Sequence, residues 1–164
     1  MKHKKIAKTN AMRILDREGV IYETRSYEAD PSDLSGMHAA QEIGQDPDTV
    51  FKTLVLHGEP GGYFVCCIPV DTELDLKKAA RASGNKRCSM LHVRDLKDVT
   101  GYIRGGCSPI GMKKRFPTFL EQRALNYEVI GISAGLRGEQ ILIDPKILCD
   151  GFDIIPADLS AETE

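Results

Sequence analysis

Two places in this chain carry residues suited to holding a carbonyl or a negative charge. The first is the stretch from Gly101 to Arg115, Gly-Tyr-Ile-Arg-Gly-Gly-Cys-Ser-Pro-Ile-Gly-Met-Lys-Lys-Arg, with four glycines, one proline, a Cys-Ser pair and four cations. Glycine at this density lets a backbone take positive φ and approach a ligand closely. Pro109 fixes its own φ, lacks an N–H and biases Ser108 towards an extended conformation. The spacing predicts a stiffened loop with several free N–H groups, able to bind an oxyanion, a phosphate or a carbonyl. A tight turn between two elements accounts for the same composition. The second place is Lys52, inside the apolar run from Val50 to His57. A lysine there either snorkels to solvent or points into a polar cavity, where its ammonium donates to a carbonyl or phosphate.

Protein nucleophiles are poorly supported. Ser108 needs a base. None of the four histidines (His3, His38, His57 and His92) sits in a partner motif, and no G-x-S-x-G elbow is present. Cys107 has cationic neighbours of the kind that lower a thiol pKa, but without a histidine partner it reads as a small structural residue. Metal ligation lacks H-E-x-x-H or a tight His/Cys/Asp cluster. Gly101-x-x-x-Gly105-Gly106 departs from the dinucleotide fingerprint, and no Walker loop occurs. No cofactor or metal is expected. Backbone N–H groups, one lysine and hydroxyls remain, a set that stabilises developing negative charge without a protein nucleophile.

These groups need elements to position them. Thr9 caps a helix to about Arg17, stopped at Gly19. A strand is predicted over Val20 to Tyr27, a loop over Glu28 to Ser35, and a short helix from Ser35 or Gly36 to Ile43. Val50 to His57 and Tyr63 to Val70 read as a hairpin around Pro60-Gly61-Gly62, apolar enough for burial on both faces. Asp75 caps a helix from Leu76 to Ser83, ended by Gly84. Lys86 to Met90 reads as a strand and Leu91 to Val99 as a helix. Pro117 to Leu120, Tyr127 to Ile132 and Gln140 to Ile143 read as strands. Gly131 to Gly138 is a second glycine-rich turn, and Pro145 opens a last helix. The acidic tail from Asp158 to Glu164 is expected to fray. The irregular interleaving excludes a βαβ repeat and predicts an α+β fold: a mixed, largely antiparallel sheet flanked by helices.

A chain of 164 residues, 41% hydrophobic and 28% charged, fits a single domain over 1–164. Its net charge of −2 argues against a general nucleic-acid coat but leaves room for local basic patches. Lys77-Lys78-Arg81, Lys86-Arg87 and Lys113-Lys114-Arg115 form such clusters, each a solvated face or part of an RNA backbone footprint. Aromatic residues make up 6% of the chain, with no tryptophan, so stacking on single-stranded bases is not expected. Five cysteines without a C-x-x-C pair suggest a reducing compartment. The basic start Met1 to Lys5 lacks the apolar run of a secretory signal, and no stretch is long enough to span a membrane. The expected location is the cytoplasm.

Several of these residues together resemble the YbaK/EbsC family. They are Phe51-Lys52-Thr53-Leu54, Leu76 to Ala80, Thr100-Gly101-Tyr102, Gly105 to Gly111, Lys113-Lys114-Arg115, and Ser133 to Gly138. The motifs run in the family's order from about Met12 to Leu148. The resemblance implies a freestanding trans-editing aminoacyl-tRNA deacylase with a barrel-like mixed sheet, similar to the editing domain inserted in bacterial prolyl-tRNA synthetases. The YbaK type hydrolyses Cys-tRNA(Pro), an error that arises because a pocket rejects a near-isostere by only one or two orders of magnitude. The resemblance makes Lys52, Gly105, Gly106 and Ser108 catalytic. It places Tyr27, Cys107, Pro109 and Ser133 against the substrate and Lys113, Lys114 and Arg115 against tRNA. The substrate cysteine's own thiolate then attacks its ester carbonyl, which fits the missing protein nucleophile. Cys107 stands where an aliphatic residue is expected, and Gln140 where some members carry an acidic one.

The resemblance therefore implies a deacylase of Cys-tRNA(Pro), with mischarged tRNA and prolyl-tRNA synthetase as partners. An Ala-tRNA(Pro) deacylase is the alternative within the enzyme class. A non-catalytic module that binds tRNA or a synthetase is the alternative outside it.

Overall fold

The computed structural model describes residues 7–161. Helix α1 (Asn10–Arg17) is capped by Thr9, whose hydroxyl accepts from the Met12 N–H, as the sequence predicts. Strand β1 (Glu23–Ser26) and helix α2 (Gly36–Glu42) follow, with Ser35 capping the helix. The hairpin consists of β2 (Phe51–Glu59) and β3 (Gly62–Pro69), in a register that sets Lys52 opposite Ile68. Then come α3 (Leu76–Ser83), β4 (Arg87–Met90), α4 (Leu96–Thr100), β5 (Thr118–Glu121), β6 (Ile130–Ser133), β7 (Glu139–Ile143), α5 (Pro145–Phe152) and β8 (Ile155–Ala157).

Two sheets form. One has three strands in the order β1-β7-β6, and the other five in the order β4-β2-β3-β5-β8. The pairs β1–β7, β6–β7, β2–β3 and β2–β4 are antiparallel. Strand β5 runs parallel to both β3 and β8. A parallel bridge from Val50 to Gly131 brings the start of β2 to β6 and joins the two sheets. This is the mixed α+β fold that the sequence predicts.

The continuous apolar run of β3 has a direct cause. Val65 and Cys67 point into the main core with Leu15, Leu120, Ile132 and Ile141. Phe64, Cys66 and Ile68 point the other way, onto Ala79 of α3 and Leu159. A strand with helices or loops over both faces loses the polar/apolar alternation.

Four expectations need correction. The helix predicted over Leu91 to Val99 is a 3-10 turn at Val93–Asp95, with His92 as its cap, followed by α4. The His92 ring nitrogen accepts from the Arg94 N–H and starts the element late. Residues 122–126 form a 3-10 turn, so the strand predicted from Tyr127 begins at Ile130. Strand β8 has no counterpart in the sequence reading; it is three residues long and pairs along one edge. The tail is not frayed as far as Ala161. Leu159 and Ser160 are buried, and the Asp75 N–H donates to the Leu159 carbonyl. Residues 162–164 and the basic start Met1 to Lys5, with His3, lie outside the described residues.

Candidate functional site

A cavity of about 320 Å³ opens between the two sheets and the loop from Gly101 to Arg115. Lys52, Gly105, Cys107, Tyr27 and Ser133 all line it, although they come from four separate parts of the chain. Strand β2 carries Lys52, the end of β6 carries Ser133, and the residue after β1 is Tyr27. The Tyr27 N–H donates to the Gly138 carbonyl over 2.9 Å, which ties that corner to the second glycine-rich turn.

Lys52 is half-buried. Burial lowers its pKa below the ordinary lysine value, while the nearby Glu73 and Asp71 carboxylates pull it back up. A more acidic ammonium is a stronger hydrogen-bond donor to an incoming oxygen. Among the described residues, Arg104 is the other charged residue in the cavity wall.

The glycine-rich loop is held from both ends. The Tyr102 N–H and the Lys113 N–H donate to the Thr100 hydroxyl and carbonyl. The Arg137 Nε donates to the Arg104 carbonyl over 2.8 Å. At Gly106 the two loops touch backbone to backbone: a Cβ there would stand 3.1 Å from the Arg137 nitrogen. The Gly106 N–H is spent on the Ile103 carbonyl, inside a turn. Among the described residues, the Gly105 and Cys107 N–H groups have no protein acceptor. Of the loop residues that line this cavity, Arg104, Gly105 and Cys107 thus keep N–H groups without a protein acceptor, while the Gly106 amide between them is spent.

Other predicted site residues stand apart from this cavity. Ser108 is fully buried, and its Oγ accepts from the Ile110 N–H over 3.2 Å. That bond shapes the turn after Pro109. Pro109, Lys114 and Arg115 border a second cavity of about 550 Å³ beside α5. Lys113, Lys114 and Arg115 are exposed. The Lys113 stem lies over Gly101, and Arg115 donates to the Asp153 carboxylate over 2.9 Å and to the Phe152 carbonyl.

Cys107 does not have the lowered pKa that its cationic neighbours suggested. Burial pushes its thiol up to about 12, and a hydrogen bond with Thr100 only partly offsets this. The cations of the run point to solvent, while the sulfur sits against the core. Among the described residues, no three His, Cys, Asp or Glu side chains gather as a metal-ligand group.

Two wall residues escaped the sequence reading as binding groups. Thr53 follows Lys52 in β2 yet lines the same cavity, its hydroxyl 3.9 Å from the Cys67 sulfur. Gln140, noted only as a departure from a family pattern, lies in the wall with a buried carboxamide oxygen that has no hydrogen-bond partner. Its signal in sequence is a polar residue at the head of the apolar run Ile141-Leu142-Ile143.

A lysine and unpaired amides lining one half-buried hollow are groups suited to holding an ester carbonyl or an oxyanion. The family model of the aminoacyl-tRNA editing domain matches residues 35–150. A protein of Enterococcus faecalis, EbsC, named as a Cys-tRNA(Pro)/Cys-tRNA(Cys) deacylase, is 48% identical over 147 residues, which are 90% of each chain. YwhH of Bacillus subtilis is 25% identical over 123 residues, 75% of this chain and 78% of its own. A solved hypothetical protein superimposes with a TM-score of 0.85 at 18% identity, over 93% of this chain and all of its own. A solved protein described as a trans-editing enzyme for prolyl-tRNA synthetase gives 0.79 at 24% identity, over 96% of this chain and all of its own. The chain belongs to the aminoacyl-tRNA editing domain family, in its YbaK/EbsC branch.

Proposed function

We propose that this protein is a freestanding trans-editing deacylase that cleaves the ester of mischarged tRNA, with Cys-tRNA(Pro) as its substrate. One observation carries the reading: Lys52 shares a single cavity with Gly105 and Cys107, whose amides are unspent. The name of the Enterococcus relative supports the choice of cysteine.

In this reading the Lys52 ammonium and the Gly105 and Cys107 amides hold the ester carbonyl and the oxyanion that develops on it. The nucleophile is the substrate's own thiolate. Its sulfur–carbon bond forms, the bond from carbon to the ribose oxygen breaks, the ribose oxygen takes up the proton that the thiol released, and the amino acid leaves as a cyclic thiolactone that water then opens. Protein sulfur is a poor competitor, because the Cys107 thiol stays protonated well above neutral pH. Ser108 shapes the loop, and Tyr27 and Ser133 bound the aminoacyl group. The exposed Lys113 and Lys114 meet the tRNA backbone, together with Arg115. Prolyl-tRNA synthetase is the partner that supplies the mischarged tRNA, and the cytoplasm is the site of action. No helix among the described residues is long and apolar enough to cross a membrane.

The test is deacylation of cysteinyl-tRNA(Pro) and alanyl-tRNA(Pro) side by side, with the wild type and Lys52→Ala. Faster cleavage of the cysteinyl ester and its loss in the folded variant are expected. Faster cleavage of the alanyl ester moves the protein to the alanine-specific reading. Salt-sensitive tRNA binding with no cleavage of either ester makes it a binding module.

A further inference from the structure

The Gln140 side chain is the unexplained part of the cavity. Its Oε1 is buried without a partner, and the residue is only 6% exposed while lining the hollow that holds Lys52. Buried polar atoms are almost always paired, so an unpaired one beside a cavity marks a bond kept for something that enters. Strand pairing fixes the backbone of Gln140 between Ser133 and Arg25. Oε1 lies beside Gly131, 3.7 Å from where a Cβ there would stand, and a half-turn about the last side-chain bond, which needs no backbone movement, would exchange it with the carboxamide nitrogen.

An aminoacyl ester brings two kinds of polar group. Its carbonyl is an acceptor and suits Lys52 and the loop amides. Its α-amino group is a strong donor and needs an acceptor. Among the described residues, the charged members of the wall are Lys52 and Arg104, both cations, and no carboxylate lines it. The Ser133 Oγ already accepts from the Gly135 N–H.

We infer that Gln140 Oε1 accepts the α-amino group of the aminoacyl ester and is thereby a specificity-determining residue. This rests on the deacylase reading above. It also separates aminoacyl from peptidyl esters, whose nitrogen is an acylated amide with one hydrogen.

The test uses cysteinyl-tRNA and 3-mercaptopropionyl-tRNA, which keeps the thiol and the ester but lacks the amine. Gln140→Leu should lower kcat/KM on the cysteinyl ester about 10- to 100-fold, the usual range for one hydrogen bond to a charged group. It should leave the amine-free ester within about twofold, since no bond to that ester is lost. Gln140→Glu, which keeps an acceptor, should retain most cysteinyl turnover. An equal loss on both esters, or no loss on either, overturns the assignment. The wild type alone gives a second reading that needs no variant. Once each rate is divided by that ester's uncatalysed rate, the amine-free ester should be cleaved more slowly, and equal values overturn the assignment. A wild type that cleaves neither ester overturns the deacylase reading itself, an outcome distinct from equal loss.

Discussion

The Tyr102 hydroxyl donates to the Ile110 carbonyl over 2.6 Å and closes the glycine-rich loop on itself. Burial pushes this hydroxyl's pKa up to about 12, so it remains a donor at neutral pH. The same ring lies against the second glycine-rich turn: a Cβ at Gly135 would stand 2.8 Å from Tyr102 Cε1. One tyrosine therefore fixes both loops that border the cavity.

Two variants separate the bond from the packing. Tyr102→Phe keeps the ring and loses one hydrogen bond, at a cost of about 1 kcal/mol. It leaves the Ile110 carbonyl unpaired and should lower turnover more than it lowers stability, because the loop bearing the Gly105 amide loosens. Gly135→Ala should cost about 2 kcal/mol or more, since its φ of +93° disfavours any side chain and the new methyl meets the ring. Chemical denaturation and deacylation rates measured on the same preparations check both.

Lys52 should titrate below ordinary lysine. Burial lowers its pKa, and Glu73 and then Asp71 oppose the shift, so Glu73→Gln should lower the midpoint further. The sign for stability follows. Between the lowered folded pKa and the ordinary unfolded one, the unfolded chain binds the extra proton, so this group's contribution to stability rises with pH across that window. NMR of methylated or labelled lysine side chains reads the midpoint directly. A Lys52 midpoint at or above that of the exposed lysines would sink the buried-ammonium account.

Cys107 should be chemically quiet. With its thiol pushed up to about 12 by burial, the thiolate fraction at pH 8 is on the order of one in ten thousand. Iodoacetamide at that pH should alkylate Cys107 far more slowly than a free cysteine, as mass spectrometry of the digest would show. Cys107→Ala should retain deacylase activity within a few fold. Loss of activity with the fold intact would make the sulfur a participant.

What the sequence reveals and conceals has a physical pattern. Caps and stops are local, so Thr9, Ser35 and Asp75 give three helix starts without any tertiary information. Lys52 is legible because an apolar strand makes a charge conspicuous. Ser108 reads two ways, since hydroxyl chemistry and turn geometry favour the same neighbours, glycine and proline; its burial and its bond from the Ile110 N–H favour the turn. The Gly105 and Gly106 amides look equivalent in sequence, but a turn bond consumes one and leaves the other. Gln140 is hidden because its meaning lies in a missing partner, and β8 because three residues carry too little pattern.

Glu121 tests the far side of the fold. It ends β5, is 2% exposed, and accepts from the Arg123, Leu159 and Ser160 N–H groups over 2.9–3.1 Å. Burial alone would raise its pKa, yet these donors and the Arg123 charge outweigh it and hold the carboxyl below the ordinary value. A lowered folded pKa gives stability that is fully present above the unfolded pKa and is lost as pH falls through the folded one. The wild type should thus lose stability on acidification below the ordinary glutamate range. Glu121→Gln turns one acceptor into a donor facing N–H groups and should cost about 1–3 kcal/mol at neutral pH. It should also flatten the acid limb, because the titrating group is gone. Denaturant unfolding at pH 7 and pH 4 measures both effects. A variant with an unchanged acid limb would show that other carboxylates carry it. Because the Leu159 and Ser160 N–H groups both donate to this one side chain, hydrogen exchange in the tail should accelerate in the variant before the hairpin amides respond.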